Sequence, residues 1–282
     1  MTTYLRGSCL VLASCSAALT IKPSSPSMGV DPRHLTQWIT KSSSVTDLVT
    51  LHAQHGHDFN DIHLSAAWVA LGRLCSDRGS ASASKHGYTR FRSMPLRLQS
   101  ALKPLMGRSA RMALAGSLTG RELANVIYGV AKSRLTDGPT RTGLLDALAA
   151  VAISTRLANL KPQELSNICW AYATAGHEAP ALFDALAEEA ELQCHLFNPQ
   201  ELSNVGWSFA TAEHQAPRLL DAVAEASLAS LPAFNAQNLA NTAWAFSKLG
   251  HTSPALFDAI ALAASEQAPS LNPQNLANMA FA

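Results

Sequence analysis

Apolar positions in the second half of the chain recur in a block of about 37 residues. The block reads Leu-Ala-Asn at 123–125, Leu-Ser-Asn at 165–167 and 202–204, and Leu-Ala-Asn at 239–241 and 276–278, so its asparagines are spaced 42, 37, 37 and 37 apart. Within one block Leu202, Val205 and Phe209 lie at helical spacing, as do Leu165, Ile168 and Tyr172, and Leu239 and Phe246. These positions predict a first helix, helix A, running roughly from Pro199 to Ala212 and in the equivalent places of the other blocks. A second apolar set (Leu182, Phe183, Leu186; Leu219, Leu220, Val223; Leu256, Phe257, Ile260) begins after Pro180, Pro217 and Pro254 and predicts helix B.

The polar residues between these sets supply the punctuation. Asn198 caps helix A, Pro199 takes the first helical position, and Glu201 closes a capping box; Thr119 and Glu122 form the same signature. An apolar residue before each cap and a leucine five places on repeat as a hydrophobic staple: Leu118 with Leu123, Leu160 with Leu165, Phe197 with Leu202, Phe234 with Leu239, Leu271 with Leu276. Gly176 and Gly250 sit where a left-handed helix terminus is expected. A hairpin of this kind cannot bury both apolar faces alone, so repeats must stack. The pattern predicts an all-α fold, a right-handed α-solenoid of tandem helical hairpins.

Four segments follow. Residues 1–30 carry Arg6 and Lys22 with no acid, an apolar stretch from Cys9 to Leu19 and a Ser/Pro-rich tail, and read as a targeting peptide for import into a mitochondrion or plastid. Residues 31–77 read as a degenerate helical unit, because Phe59 to Trp68 echo Phe197 to Trp207 with the tryptophan one place early and Ala66 in place of the asparagine. Residues 78–115 read as a basic linker, and 116–282 as four repeats and a truncated fifth.

Composition narrows the function classes. A chain that is 48% hydrophobic and 6% aromatic fits alanine-rich helices, and no apolar run approaches the length of a membrane span. The formal net charge of +1 conceals +8 over residues 1–118 and −7 over 119–282. Nine bases fall between Arg73 and Arg111; Arg90, Arg92, Arg97, Lys103, Arg108 and Arg111 read either as a solvated insertion or as an electrostatic arm for nucleic acid, with Tyr88 and Phe91 among them for stacking. Five cysteines without a CxxC pair read as thiols in a reducing compartment. No phosphate loop, nucleophile elbow or zinc-protease motif is present, so neither catalysis nor a cofactor is expected.

Candidate chemistry lies on helix A. At 100° per residue from the recurring asparagine, positions −3, +4 and +7 fall at about 60°, 40° and −20° and share a stripe with it. In sequence these are Glu122, Asn125, Gly129, Lys132; Glu164, Asn167, Ala171, Thr174; Glu201, Asn204, Ser208, Thr211; and Asn238, Asn241, Ala245, Lys248. Asparagine both donates and accepts, which suits base edges or sugars, but a repeated asparagine also suits a hydrogen-bond ladder between repeats. Position +7 varies (Lys132, Thr174, Thr211, Lys248) and is the better candidate for discriminating a ligand. Trp170, Trp207 and Trp244 flank the stripe and are expected to pack against the neighbouring repeat. His177, His214 and His251 recur at the A–B turn, too far apart for a shared metal, and read as turn or capping residues or as phosphate contacts.

The segments Asn-Pro-Gln-Glu-Leu-Ser-Asn-Val-Gly-Trp-Ser-Phe-Ala (198–210) and Asn-Ala-Gln-Asn-Leu-Ala-Asn-Thr-Ala-Trp-Ala-Phe-Ser-Lys-Leu-Gly (235–250) resemble octotricopeptide-type repeats. Similar repeats occur in FAST-kinase-like and RAP-domain proteins and in the kinetoplastid RNA-editing substrate-binding complex. The resemblance implies an organellar RNA-binding α-solenoid acting in RNA processing, stability, translation or ribosomal RNA maturation. Single-stranded RNA would contact Asn125, Asn167, Asn204 and Asn241, tuned by Lys132, Thr174, Thr211 and Lys248, with protein partners in a gene-expression complex and no membrane or metal. The rival expectation is a protein-binding scaffold, which the acidic array would suit. A continuous acidic groove along the asparagine stripe favours the scaffold, and a neutral or basic groove with exposed amides favours RNA.

Overall fold

The computed structural model describes residues 30–77 and 94–282, apart from 119, 134, 137, 156 and 158. Thirteen α-helices and four short 3-10 turns make up the regular structure among the described residues, with no strand. The expected targeting peptide, Thr119 of the Thr119–Glu122 box, and Arg90 and Arg92 lie outside the described residues.

The helices alternate between two layers. Layer A holds α1 (Pro32–Lys41), α3 (Asp61–Asp77), α5 (Gly120–Lys132), α7 (Pro162–Ala175), α9 (Pro199–Thr211), α11 (Ala236–Leu249) and α13 (Pro273–Phe281). Layer B holds α2 (Val45–His55), α4 (Leu96–Leu114), α6 (Pro139–Ser154), α8 (Pro180–Gln193), α10 (Pro217–Ser230) and α12 (Pro254–Glu266). Each A helix packs on the next A helix and each B helix on the next B helix, the arrangement of an α-solenoid.

The predicted punctuation is present at atomic level. Glu201 N–H donates to Asn198 Oδ1 at 3.0 Å while Asn198 N–H donates to Glu201 Oε2 at 2.9 Å. Asn235 and Asn238 reproduce the box at 2.9 and 3.2 Å, and Glu164 accepts from Lys161 N–H at 2.9 Å. Gly176 and Gly250 close α7 and α11 at φ 60° and 65°. The equivalent place after α9 is Glu213, a side-chain-bearing residue held at φ 53°. The staple leucines Leu123, Leu165, Leu202 and Leu239 are all buried, with their partners Leu118, Leu160, Phe197 and Phe234, whereas in the fifth pair Leu276 is exposed and Leu271 half-buried.

The N-terminal third differs from the sequence reading. Residues 31–77 hold a complete hairpin, α1–α2, plus the A helix of the next unit; the B helix of that unit is α4, inside the segment read as a basic linker. Helix α4 forms because Leu102, Leu105, Met106 and Ala113 give it a buried face. That face was masked in the sequence by the surrounding bases and by Pro104. Trp68 is not an early copy of the recurring tryptophan. It is fully buried, its indole N–H donates to Ser109 of α4 at 2.8 Å, and Val69 takes the equivalent place on α3.

The recurring histidines tie the layers together. His177, His214 and His251 each bring Nε2 to Oδ1 of an aspartate on the preceding B helix: Asp146, Asp184 and Asp221, at 2.9, 2.8 and 2.9 Å. Their rings pack on Tyr172, on Phe183 and Phe209, and on Phe246. They are turn residues that lock successive hairpins, which accounts for the shared period of the histidine and aspartate positions.

Candidate functional site

Helix A has one face left over once its neighbours are in place. The −1 and +2 positions of one A helix meet the −3 and +4 positions of the next: Asn238 Nδ2 donates to Ser203 Oγ at 3.0 Å, and a Cβ built on Gly206 would lie 3.6 Å from Ala245 Cβ. At Gly129 the approach is closest, since a Cβ there would stand 2.5 Å from the backbone C and O of Trp68. The small residues Gly129, Ala171, Ser208 and Ala245 are therefore buried helix–helix contacts. They are not on the open face with the asparagines, as the shared stripe of the sequence reading had them.

The open arc is displaced to the other side of the asparagine. Measured at 100° per residue, it is bounded by positions +3 at about −60° and 0, and includes −4 at about −40° and +7 at about −20°. On successive helices it carries Arg121, Asn125, Tyr128, Lys132; Gln163, Asn167, Trp170, Thr174; Gln200, Asn204, Trp207, Thr211; Gln237, Asn241, Trp244, Lys248; and Gln274, Asn278, Phe281. The −4 residues are all exposed and the asparagines half-buried. On α3 the arc continues as Ile62, Ala66, Val69 and Arg73, beside an open cleft of about 450 Å³ that also reaches Thr40, Arg121 and Asn125.

The expected contact residues fare differently. Asn125, Asn167, Asn204 and Asn241 lie on the arc, and Asn278 Nδ2 donates to Asn241 Oδ1 at 3.2 Å, one rung of an amide ladder between repeats. Thr174 is exposed. The Thr211 hydroxyl is buried without a partner, so it is not available at the surface as expected. Lys132 Nζ lies 4.8 Å from the Tyr128 ring centre and 5.9 Å from that of Trp170, and Lys248 pairs with Glu213 at 2.8 Å. The Lys248 ammonium holds the Glu213 carboxyl below the usual range.

The described residues of the expected basic arm lie on a packed helix. Arg97, Lys103 and Arg111 are exposed on α4, in layer B, away from the asparagine arc. Arg108 turns inward and donates to the backbone carbonyls of His57 and Phe59. Burial, with the Arg108 charge adding to it, holds the His52 imidazole below its ordinary pKa.

Charge separates the two layers. Arc positions from α3 to α13 hold Arg73, Arg121, Lys132 and Lys248 and no carboxylate. Of the fifteen acids in residues 119–282, nine are on B helices: Asp146, Asp184, Glu188, Glu189, Glu191, Asp221, Glu225, Asp258 and Glu266. Glu164 and Glu201 are turned back onto their own helix starts. Among the described residues no three His, Cys, Asp or Glu side chains converge on a metal position, and no helix is long and apolar enough to cross a membrane. Sequence reasoning missed the −4 residues and the membership of the aromatic +3 residues in the arc. The run of Gly, Ala and Ser at +4 was the available signal, because small residues recurring on one stripe mark close helix packing.

Fold and arc together define a helical-repeat protein with one amide-rich, basic face and one acidic layer. The sequence profile of the RNA-editing substrate-binding complex 6 protein matches residues 92–280, and the chain belongs to that family. This is one of the groups whose repeats the 198–250 motifs resemble. No curated protein matches the chain.

Proposed function

We propose that this protein is a non-catalytic RNA-binding subunit acting in mitochondrial RNA editing, and that single-stranded RNA lies along the open arc of layer A. The supporting observation is the charge partition: the arc positions carry amides and four bases and no carboxylate of their own, with Glu213 paired to Lys248 and Glu122 lining the cleft beside Arg121 as the acids nearest them, while nine of the fifteen acids of residues 119–282 are on the other layer. Phosphate neutralisation supplies much of the affinity of a nucleic-acid binder. A face with Arg73, Arg121, Lys132 and Lys248 meets that need despite the overall balance. The family points to an editing substrate complex, and the N-terminal segment, with bases and no acid, suits mitochondrial import.

The test is fluorescence anisotropy of labelled single-stranded RNA with the full chain at several salt concentrations. Affinity should fall with salt, and each of Arg121→Ala, Lys132→Ala and Lys248→Ala should lower the log–log slope by about 0.7. Absence of salt-sensitive binding, or a slope unchanged in the triple variant, refutes the placement. A second reading, a protein-binding surface, is favoured by the acidic B layer and uses different residues. Glu188→Lys with Glu225→Lys should release a basic protein partner without weakening RNA binding.

A further inference from the structure

We infer that the aromatic row of layer A (Tyr128, Trp170, Trp207, Trp244 and Phe281) is a stacking platform on which the bases of a single-stranded RNA lie face-on, one ring per repeat; this rests on the RNA reading above. Three observations carry it. First, the rings occupy the same +3 place on five successive A helices, so they form a row along the solenoid. Second, they differ in setting from the core tryptophan. Trp68 is fully buried and hydrogen-bonded to Ser109, whereas Trp170, Trp207 and Trp244 are only partly buried and make no side-chain hydrogen bond among the described residues. Third, the row is edged by the exposed −4 amides, and Lys132 Nζ lies over the Tyr128 ring at 4.8 Å and over the Trp170 ring at 5.9 Å, a cation held on the row itself where it can move off a ring to meet the phosphate of an arriving strand.

The spacing determines how the strand must run. Neighbouring A helices lie about 8–10 Å apart, whereas successive bases in a continuous stack are about 3.4 Å apart. RNA following the row must therefore be unstacked, each base losing a stacking partner that a protein ring can replace. Tyr128 and Trp170 are 5.3 Å apart and tilted by 44°, and Trp244 and Phe281 are 6.4 Å apart with the same tilt. Rings that close leave no slot for an inserted base at these two junctions, so there the bases lie on the row from outside. The half-buried asparagine one turn back on each helix then meets a base edge while the ring takes its face.

The experiment titrates oligouridine into the full chain and follows tryptophan fluorescence together with anisotropy of the labelled RNA. Wild-type fluorescence should be quenched on binding. Trp207→Leu should weaken binding about 5- to 100-fold, and Trp207→Phe should restore most of it. The triple Phe variant at 170, 207 and 244 should bind RNA with most of the quenching gone. If a leucine variant fails to fold, the quenching lost in the folded triple Phe variant decides. RNA binding with no quenching, or with leucine and phenylalanine variants equal to wild type, overturns the stacking platform and leaves the RNA reading standing. No binding by the wild type overturns both.

Discussion

Gly129 and Gly206 are both glycines inside A helices, yet a methyl group added to each should act in opposite directions. Replacing an interior helical glycine by alanine gains about 0.8–1.0 kcal/mol of helix propensity. At Gly206 the new Cβ meets Ala245 Cβ at 3.6 Å, an ordinary contact, so the gain should be kept and Gly206→Ala should stabilise by about 0.5–1 kcal/mol. At Gly129 the new Cβ would stand 2.5 Å from the Trp68 backbone carbonyl and 2.6 Å from Trp68 Cβ. Those atoms belong to a fully buried residue whose indole is tied to Ser109 and cannot swing away. Overpacking of this kind costs about 1–3 kcal/mol, occasionally more, and here it must be met by moving α5 bodily from α3. Allowing for propensity, Gly129→Ala should destabilise by about 1–2 kcal/mol. Urea unfolding followed by far-UV circular dichroism gives both values. If the two substitutions shift the midpoint in the same direction, the close approach of the A helices at Gly129 is not as described.

Three further outcomes follow from the same geometry. Leu202→Ala should cost about 2–5 kcal/mol, because Leu202 is both staple and fully buried core; a loss under about 1 kcal/mol in urea unfolding would mean the helix A register is wrong. Glu213→Gly should raise Tm by about 2 °C, since glycine takes the positive φ of 53° without strain and the Lys248 pair it removes is largely exposed; an unchanged or lower Tm contradicts this. Burial pushes the Cys169 thiol from 9.0 up to about 12 and, with Glu191 adding to it, the Cys194 thiol likewise. The folded state therefore favours the neutral thiols, so this stability is complete below about pH 9 and is lost as pH rises from about 9 to about 12. Urea midpoints that do not fall over that window, or native-state labelling of either thiol at pH 8 as fast as in urea, contradict the burial.

The repeat and its hairpin were legible because their signals are local. Asn198, Pro199 and Glu201 act within one turn, and Leu118, Leu160, Phe197 and Phe234 lie five residues from the leucines they pack on. What was not legible depends on partners distant in sequence. Helix α4 is stabilised by contacts with α2 and α6, and its apolar residues alternate along the sequence with Arg97, Lys103, Arg108 and Arg111, which lie outside its buried face, so charge dominated the reading. The arc shows the same limit on a finer scale. A helical wheel places residues around an axis but does not say on which side the next helix lies. Only the burial of Ala171, Ser208 and Ala245 shows that the neighbour takes the +4 side. Hence the asparagines were placed on the open face while Glu122, Glu164 and Glu201 were wrongly grouped with them; Trp170 and Trp244 do pack on rings of the neighbouring repeats as expected, but their place on the open arc was not legible.

The central claim is that RNA meets layer A along the −4, 0, +3 and +7 positions. Ultraviolet crosslinking of the full chain to single-stranded RNA, followed by mass spectrometry of the attached peptides, tests it most directly. The account predicts adducts on peptides from α5, α7, α9 and α11, at residues such as Tyr128, Trp170, Trp207 and Trp244. Adducts confined to the B helices α6, α8, α10 and α12 would contradict it.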